Sequence, residues 1–346
     1  MIMSSVGILA NPASGRDIRR LVARASVFPI AEKCSMITRL FGALGAVGVD
    51  RVFLMPDMDG LSDRVRRQLD AHRSDHEPWP EVSFVDVFVE GSPEDTLRSV
   101  EQMVAEGVGA IIVLGGDGTH RLVASACGET PITGLSTGTN NVFPAIREAT
   151  VAGIATGLVV TGKVESASVT FRNKVLRVAV NGEVADSAVV DVAVTREQWV
   201  GSRALWRPEG LEQIFVAFAE AGAVGLSSIA GLLRPVSRAA PGGLRVDLAP
   251  PGAGRTVLAP IAPGLVVPVG VAGVQDLQPQ SPCPISVDRG VIALDGEREI
   301  EFSPADRITV QLDRDGPLTI DVDRVMTGAA ERGLLVSGES FPNEKT

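Results

Sequence analysis

Ala110-Ile111-Ile112-Val113-Leu114-Gly115-Gly116-Asp117-Gly118-Thr119 sets five apolar residues directly ahead of a glycine-rich turn. A run that is apolar at every position predicts a central parallel strand buried on both faces. The three glycines behind it let the backbone approach a ligand with no Cβ in the way. The N–H groups of such a loop, together with the N-terminus of a following helix, favour phosphate oxygens. Open α/β sheets bind ligands at the carboxyl ends of their strands, which is where this loop falls. Asp117 is the one carboxylate in the loop. Among phosphates it suits holding Mg²⁺ or accepting a hydroxyl proton. Read more plainly, the stretch is a Gly/Asp turn with Asp117 or Thr119 capping a helix.

Working outward, strand and helix signals alternate. Residues 6–10, 50–55 and 83–89 read as strands, and residues 17–25 as a helix. Ser92-Pro93-Glu94-Asp95 has an N-cap serine, proline at the first helical position and acids in the first turn, so a helix is expected to about Glu106. Repeated strand–helix units imply a mostly parallel α/β sheet. Beyond about residue 150 the pattern changes. Residues 176–180 and 184–194 read as strands around the tight-turn dipeptide Asn181-Gly182. A helix is expected over 208–221. Short strand-like runs then follow from Pro241 to Ile320, as in a mostly antiparallel domain. The expected organisation is therefore an α/β nucleotide-binding domain over 1–148 and a β-rich domain over 149–320. A C-terminal segment, 321–346, is expected to be helical over 321–333 and to pack back on the first domain.

Composition narrows the function. The 346 residues carry 32 basic and 42 acidic side chains, for a net charge of −10. That balance argues against wholesale binding of duplex nucleic acid, which depends on neutralising many phosphates. With 4% aromatics and no Tyr there is little material for base-stacking platforms. Cys34, Cys127 and Cys283 are odd in number and far apart, so a disulfide framework is not expected. The opening residues have no basic region ahead of a long apolar run. The uncharged stretch 256–275 is broken by Pro260, Pro263, Pro268 and three glycines, and reads as buried strands and turns. The expectation is a cytoplasmic protein that binds no nucleic acid and no membrane.

Two further loops join the first. Asn11-Pro12-Ala13-Ser14-Gly15-Arg16 follows the first strand; Ser14, the Gly15 backbone and Arg16 are able to touch phosphate. Ser136-Thr137-Gly138-Thr139-Asn140-Asn141 offers small hydroxyls and amides to a nucleotide. Each alone also reads as an ordinary turn. Together they resemble one superfamily: the NAD kinases, the diacylglycerol and sphingosine-type lipid kinases and, more distantly, the phosphofructokinases. Gly115 to Thr119 matches the shared GGDGT motif. Asn11 to Gly15 resembles the NPxSG opening of the lipid-kinase branch, Gly138 to Asn141 its GTxND loop, and Asp295-Gly296-Glu297 its DGE motif. The overall pattern, Ile8 to Leu21 and Gly115 to Arg121 above all, is most similar to the NAD-kinase-like group of acetoin catabolism protein X.

The resemblance implies phosphoryl transfer from ATP, with Mg²⁺, to a hydroxyl of a small-molecule acceptor in a homo-oligomeric protein. It implies Asp117 as the base, with Glu297 as the rival from the lipid-kinase branch. Asn11, Ser14, Gly15, Arg16, Gly115, Gly116, Gly118, Thr119, Ser136, Thr137, Gly138, Thr139, Asn140 and Asn141 are then nucleotide-binding, and Asp191 is substrate-binding. NAD⁺ is the first acceptor to consider, then another soluble metabolite, then a lipid. A different class stays open, a nucleotide-binding regulator of acetoin catabolism without turnover. Two departures bear on this choice. Val190 stands where NAD kinases place the Asn of a ribose-binding pair beside Asp191, and Val142 stands where the lipid-type loop places an acid. Asp295-Gly296 also reads as a plain hairpin turn. His72 and His76 read as part of a solvated loop. His120, next to the glycine loop, either touches phosphate or is an exposed first-turn residue. Trp199 and Trp206, beside Arg203 and Arg207, suit core packing or stacking on a ring.

Overall fold

The computed structural model describes residues 3–15, 28–72, 78–138, 141–196 and 210–337. The expected helix over 17–25, and Arg16, His76, Thr139, Asn140, Trp199, Arg203, Trp206 and Arg207, lie outside them. The described elements begin with β1 (Ser5–Ala10), α1 (Ile30–Ala46), β2 (Arg51–Leu54), α2 (Leu61–His72), β3 (Glu81–Phe84), α3 (Pro93–Ala105), β4 (Ala110–Gly115), α4 (Asp117–Ala126), β5 (Ile132–Ser136) and α5 (Ala149–Val160). Every residue of β1 and of β4 is buried, as expected of strands covered on both faces. Next come α6 (Ser166–Val169), β6 (Thr170–Arg172), β7 (Val175–Val180), β8 (Glu183–Ala188), β9 (Asp191–Thr195), β10 (Leu211–Val216), α7 (Ser227–Leu233), β11 (Gly243–Ala249), β12 (Arg255–Ala262) and β13 (Leu265–Leu277). The last are β14 (Cys283–Pro284), β15 (Gly290–Leu294), β16 (Glu297–Phe302), β17 (Ile308–Asp313), β18 (Leu318–Ile320) and α8 (Val322–Glu331).

Strand order in the first sheet is β3-β2-β1-β4-β5-β18-β6. Its pairings are parallel from β3 through to β18, and only β6 runs antiparallel. The chain leaves β1 toward β2 and β3, then returns to the other side of β1 as β4. Strand order therefore reverses between β1 and β4, and the crevice outside their carboxyl ends is the place for a ligand. The glycine-rich loop and the Asn11 loop are those two ends. The second sheet, β12-β13-β11-β10-β9-β15-β16, and the third, β14-β17-β7-β8, are antiparallel. One core runs from Leu9, Ile111 and Val113 of the first sheet to Leu176, Val192 and Leu312 of the other two. A second, on the opposite face of the first sheet, joins Ile8 and Ile112 to Leu40, Phe41 and Leu44 of α1 and to Val325 of α8.

Several expectations hold in detail. Asp95 accepts hydrogen bonds from the backbone N–H groups of Glu90, Gly91 and Ser92, which fixes the start of α3. Asn181-Gly182 turns β7 into β8 with both residues at positive φ, 55° and 92°, a conformation that Asn and Gly tolerate best. The uncharged stretch 256–275 lies in β12 and β13, and no helix among the described residues is long and apolar enough to cross a membrane. The three cysteines are free.

Others are corrected. The expected helix over 208–221 is instead strand β10 within its described part. Ile214, Phe215 and Val216 lie between β9 and β11 with no solvent face, so sheet pairing overrides the helical spacing. The expected single strand 184–194 breaks into β8 and β9, which belong to different sheets. The break is at Val189-Val190, whose N–H groups are taken by the Asp295 carboxylate. The strand expected to reach Val89 ends at Phe84. His72 is not in a loop: it closes α2 with its ring stacked 3.6 Å from Trp79.

Candidate functional site

Two neighbouring strand ends are tied together first. The Asn11 side chain donates to Thr119 Oγ1 at 2.9 Å and accepts from the Ala13 N–H at 2.8 Å, so it bridges the β1 and β4 loops and shapes its own turn. Ser14 Oγ lies 2.9 Å from Thr137 Oγ1, which joins the third loop to the first. Asn141 Nδ2 donates to Ser136 Oγ at 2.7 Å. A Cβ on Gly116 would stand 2.9 Å from Asn141 Oδ1, so any larger residue there displaces the Asn141 amide where the second and third loops meet.

Beneath the first loop sits Lys33 of α1, with no exposed surface. Its Nζ donates to the carbonyls of Asn11 (2.8 Å), Pro12 (3.0 Å) and Ser14 (2.9 Å). Three acceptors need three N–H donors, which the ammonium has and the neutral amine lacks. Lys33 is therefore charged, and it pulls the loop's carbonyls toward the core.

Asp117 opens α4 and is buried. Val142 N–H donates to both its oxygens (3.1 and 3.0 Å) and Phe143 N–H donates to Oδ1 (2.9 Å). From the other side, Arg238 donates to the Phe143 carbonyl (3.0 Å) and the Val142 carbonyl (2.6 Å). Residues 142 and 143 are thus clamped between a carboxylate on the glycine-rich helix and a guanidinium from the second half. His120 is neither exposed nor at the cavity. It is fully buried, and its Nδ1 lies 2.9 Å from the Gly116 carbonyl. Because a carbonyl only accepts, Nδ1 carries the proton. Burial pushes the His120 pKa down to about 4; the Gly116 bond opposes this and the Arg238 charge adds to it. His120 is a neutral brace under the loop.

The second half supplies the facing wall. Asp295-Gly296 is the hairpin turn between β15 and β16, both residues at positive φ, 50° and 79°. The Asp295 carboxylate accepts from the N–H groups of Val189 (3.0 Å), Val190 (2.7 Å) and Asp191 (3.2 Å). Burial, reinforced by the neighbouring Asp191 and Asp117 carboxylates, raises its pKa well above the usual carboxylate range. Two residues on, Glu297 is turned the other way. Its Oε1 is 3.5 Å from where a Cβ on Gly118 would lie, over the first turn of α4. Arg121, one helical turn along α4 from Asp117, pairs with Asp186 of β8 (2.6 Å) and Glu299 of β16 (3.0 Å).

These groups surround a cavity of about 590 Å³. Of the expected site residues it is lined by Asn11, Ser14, Gly15, Gly116, Asp117, Gly118, Thr119, Gly138, Asn141 and Glu297. Gly115, Thr137 and Asp191 stand behind the wall. Ser136 faces an adjoining cavity of about 670 Å³, which shares Gly138 and Asn141 with the first. Charge in the first cavity is lopsided. Asp57, Asp59, Glu94, Asp95, Asp117, Asp186, Asp295, Glu297 and Glu299 line the 590 Å³ cavity, against Arg121 alone among the described residues. No cluster of three His, Cys, Asp or Glu among those residues is arranged to hold a metal ion. That donor set still fits Mg²⁺, which is commonly held by one or two carboxylates together with substrate phosphate oxygens.

Lys33, Arg121 and Arg238 were not among the residues singled out from sequence. For Lys33 a signal existed: it shares the buried stripe of α1 with Ile37, Leu40, Phe41 and Leu44, at helical spacing.

Fold and site together define an NAD-kinase-type α/β unit joined to a β-rich second half. The family model described as the ATP-NAD kinase N-terminal domain matches residues 6–164. The model described as the Acetoin catabolism protein X C-terminal domain matches residues 174–315. Acetoin catabolism protein X of Cupriavidus necator is 45% identical over 337 residues, covering 96% of this chain and 94% of that protein. The chain belongs to the acetoin catabolism protein X family.

Proposed function

We propose that the chain is a phosphotransferase that moves the terminal phosphoryl group of ATP to a hydroxyl of a small soluble acceptor, with Glu297 as base. One observation carries this: three loops from the carboxyl ends of β1, β4 and β5 converge with Glu297 on a single cavity at the strand-order reversal. Asn11, Ser14, Gly116, Gly118 and Gly138 hold the nucleotide phosphates through backbone and small polar groups. Cavity-lining carboxylates such as Asp186 would hold the Mg²⁺ brought with the nucleotide, which would supply positive charge to offset the phosphates. Glu297 takes the acceptor's hydroxyl proton. The acceptor oxygen bonds to phosphorus as the bond from phosphorus to the ADP oxygen breaks, and ADP leaves.

The NAD-kinase resemblance implies Asp117 as base. Its oxygens are instead occupied by two backbone N–H donors, which suits a clamp. NAD⁺ stays the first acceptor to test on the strength of the N-terminal match. Against it, Val190 is buried, so this position offers the dinucleotide no side-chain partner. The commitment of Asp117 to the backbone also favours a second reading, a regulator that binds nucleotide without turnover. Calorimetric titration of MgATP, followed by ADP release against NAD⁺, NADH, sugars, polyols and acetoin, tests both. MgATP binding with no ADP release for any acceptor supports the regulator; no MgATP binding overturns both.

A further inference from the structure

Arg121 is the one cation that lines the 590 Å³ cavity among the described residues, and it faces nine carboxylate residues there. Its side chain is 9% exposed. Nη1 donates to Asp186 Oδ2 at 2.6 Å and Nη2 to Glu299 Oε1 at 3.0 Å. Nε is buried and has no partner among the described residues. A guanidinium carries five donors in a planar fork shaped for carboxylate or phosphate oxygens. Here Nη1 and Nη2 each donate to one carboxylate, and the two acceptors belong to strands of two different sheets. Two carboxylates on one arginine leave this corner net negative. A polyphosphate entering such a corner needs a cation that can change partners.

We propose that Arg121 is the phosphate receptor of this cavity, held in this structure by Asp186 and Glu299 and handed to the phosphoryl oxygens of the nucleotide when it binds. This rests on the nucleotide reading given above. The exchange is chemically conservative, because carboxylate and phosphoryl oxygens present similar acceptors to the fork. It also frees Asp186 to face the accompanying Mg²⁺, and it couples phosphate arrival to the contact between α4 and the two β-rich sheets.

The test is calorimetric titration of the full chain with MgATP, MgADP and adenosine, with a thermal melt for each protein. The proteins are wild type, Arg121→Met, Arg121→Lys and Glu299→Gln. Arg121→Met is expected to weaken MgATP binding roughly tenfold or more while leaving adenosine unchanged. Arg121→Lys should recover part of that loss, having the charge without the fork. Glu299→Gln should melt lower yet bind MgATP at least about threefold tighter, because a competitor for the fork has lost its charge. A purely structural strut predicts the opposite: lower melting with unchanged or weaker affinity in Glu299→Gln, an outcome that overturns the proposal. If Arg121→Met does not fold, Arg121→Lys and Glu299→Gln carry the same contrast. Wild type that takes up no MgATP overturns the nucleotide reading and this one with it. Wild-type binding that Arg121→Met leaves undisturbed overturns this one alone.

Discussion

Asp117→Asn separates a clamp from a base. In the wild type, Val142 N–H and Phe143 N–H donate to a carboxylate at 2.9–3.1 Å. Asparagine keeps one oxygen for these donors and sets an NH₂ group against Val142 N–H. Hydrogen bonds to a charged partner contribute about 1.5–3 kcal/mol and neutral ones about 0.5–1.5. Two donors losing that difference cost about 2–3 kcal/mol. Removing a carboxylate beside Asp295 offsets part of the loss, since the Asp117 charge is one cause of the raised Asp295 pKa. For a domain of about 150–250 residues, 1 kcal/mol moves the melt by roughly 2–4 °C, so a fall of roughly 4–10 °C is expected. Loosening residues 142 and 143 also frees Asn141 against Gly116, so MgATP affinity falls. The assay is a thermal melt, an MgATP titration and ADP release on the same preparations, with Glu297→Gln alongside. Glu297→Gln should keep its melt and affinity and lose at least ~10²-fold in turnover. Asp117→Asn with unchanged melting and affinity but a ~10²-fold turnover loss would make Asp117 the base and refute the clamp.

Gly116→Val sets its Cβ 2.9 Å from Asn141 Oδ1; MgATP binding should be lost with circular dichroism intact, and retained affinity would place the nucleotide elsewhere. Val190→Asn puts an amide at a position 1% exposed in the main core, costing about 1–3 kcal/mol. It should lower the melt without tightening NAD⁺; a tighter complex at an unchanged melt would put β9 on the dinucleotide after all. His120, with a pKa of about 4 in the fold against 6.5 ordinarily, is protonated more readily in the unfolded chain. Its contribution is complete above pH 6.5 and is lost progressively as pH falls to about 4, roughly 3 kcal/mol in all. Melting temperatures of wild type and His120→Asn across that window should diverge; parallel curves would mean His120 is not held neutral.

What was legible in the sequence is what is local. The buried β4 run and its glycines, the cap of α3 and the turns Asn181-Gly182 and Asp295-Gly296 each depend on neighbours within a few residues. Their steric and hydrogen-bond demands are written in that window. What was not legible depends on partners far along the chain. The strand β10 is made by β9 and β11, and its own residues suit a helix as well. The break at Val189-Val190 is made by Asp295, about a hundred residues away. Lys33 donates to three backbone carbonyls, which have no sequence signature; the charge on the apolar stripe of α1 was the visible half of that contact. Arg238 reaches Val142 and Phe143 from a loop that carries no motif.

The acids make the same point in chemical terms. Asp117 and Asp295 are the motif carboxylates, and both accept from backbone N–H groups: Asp117 holds the third loop, and Asp295 holds the junction of β8 and β9. Each lies where a resemblance places chemistry, and each also fixes the shape of a wall. Glu297 is set apart by the turn that Asp295 anchors. With Asp295 held in the 189–191 backbone and Gly296 reversing the chain, the next side chain is carried over the first turn of α4, its Oε1 in van der Waals reach of Gly118. The rigidity of the first acid is thus what aims the second. Loss of the Asp295 anchor should therefore lower turnover through Glu297 placement, as well as lowering stability through three unpaired N–H groups.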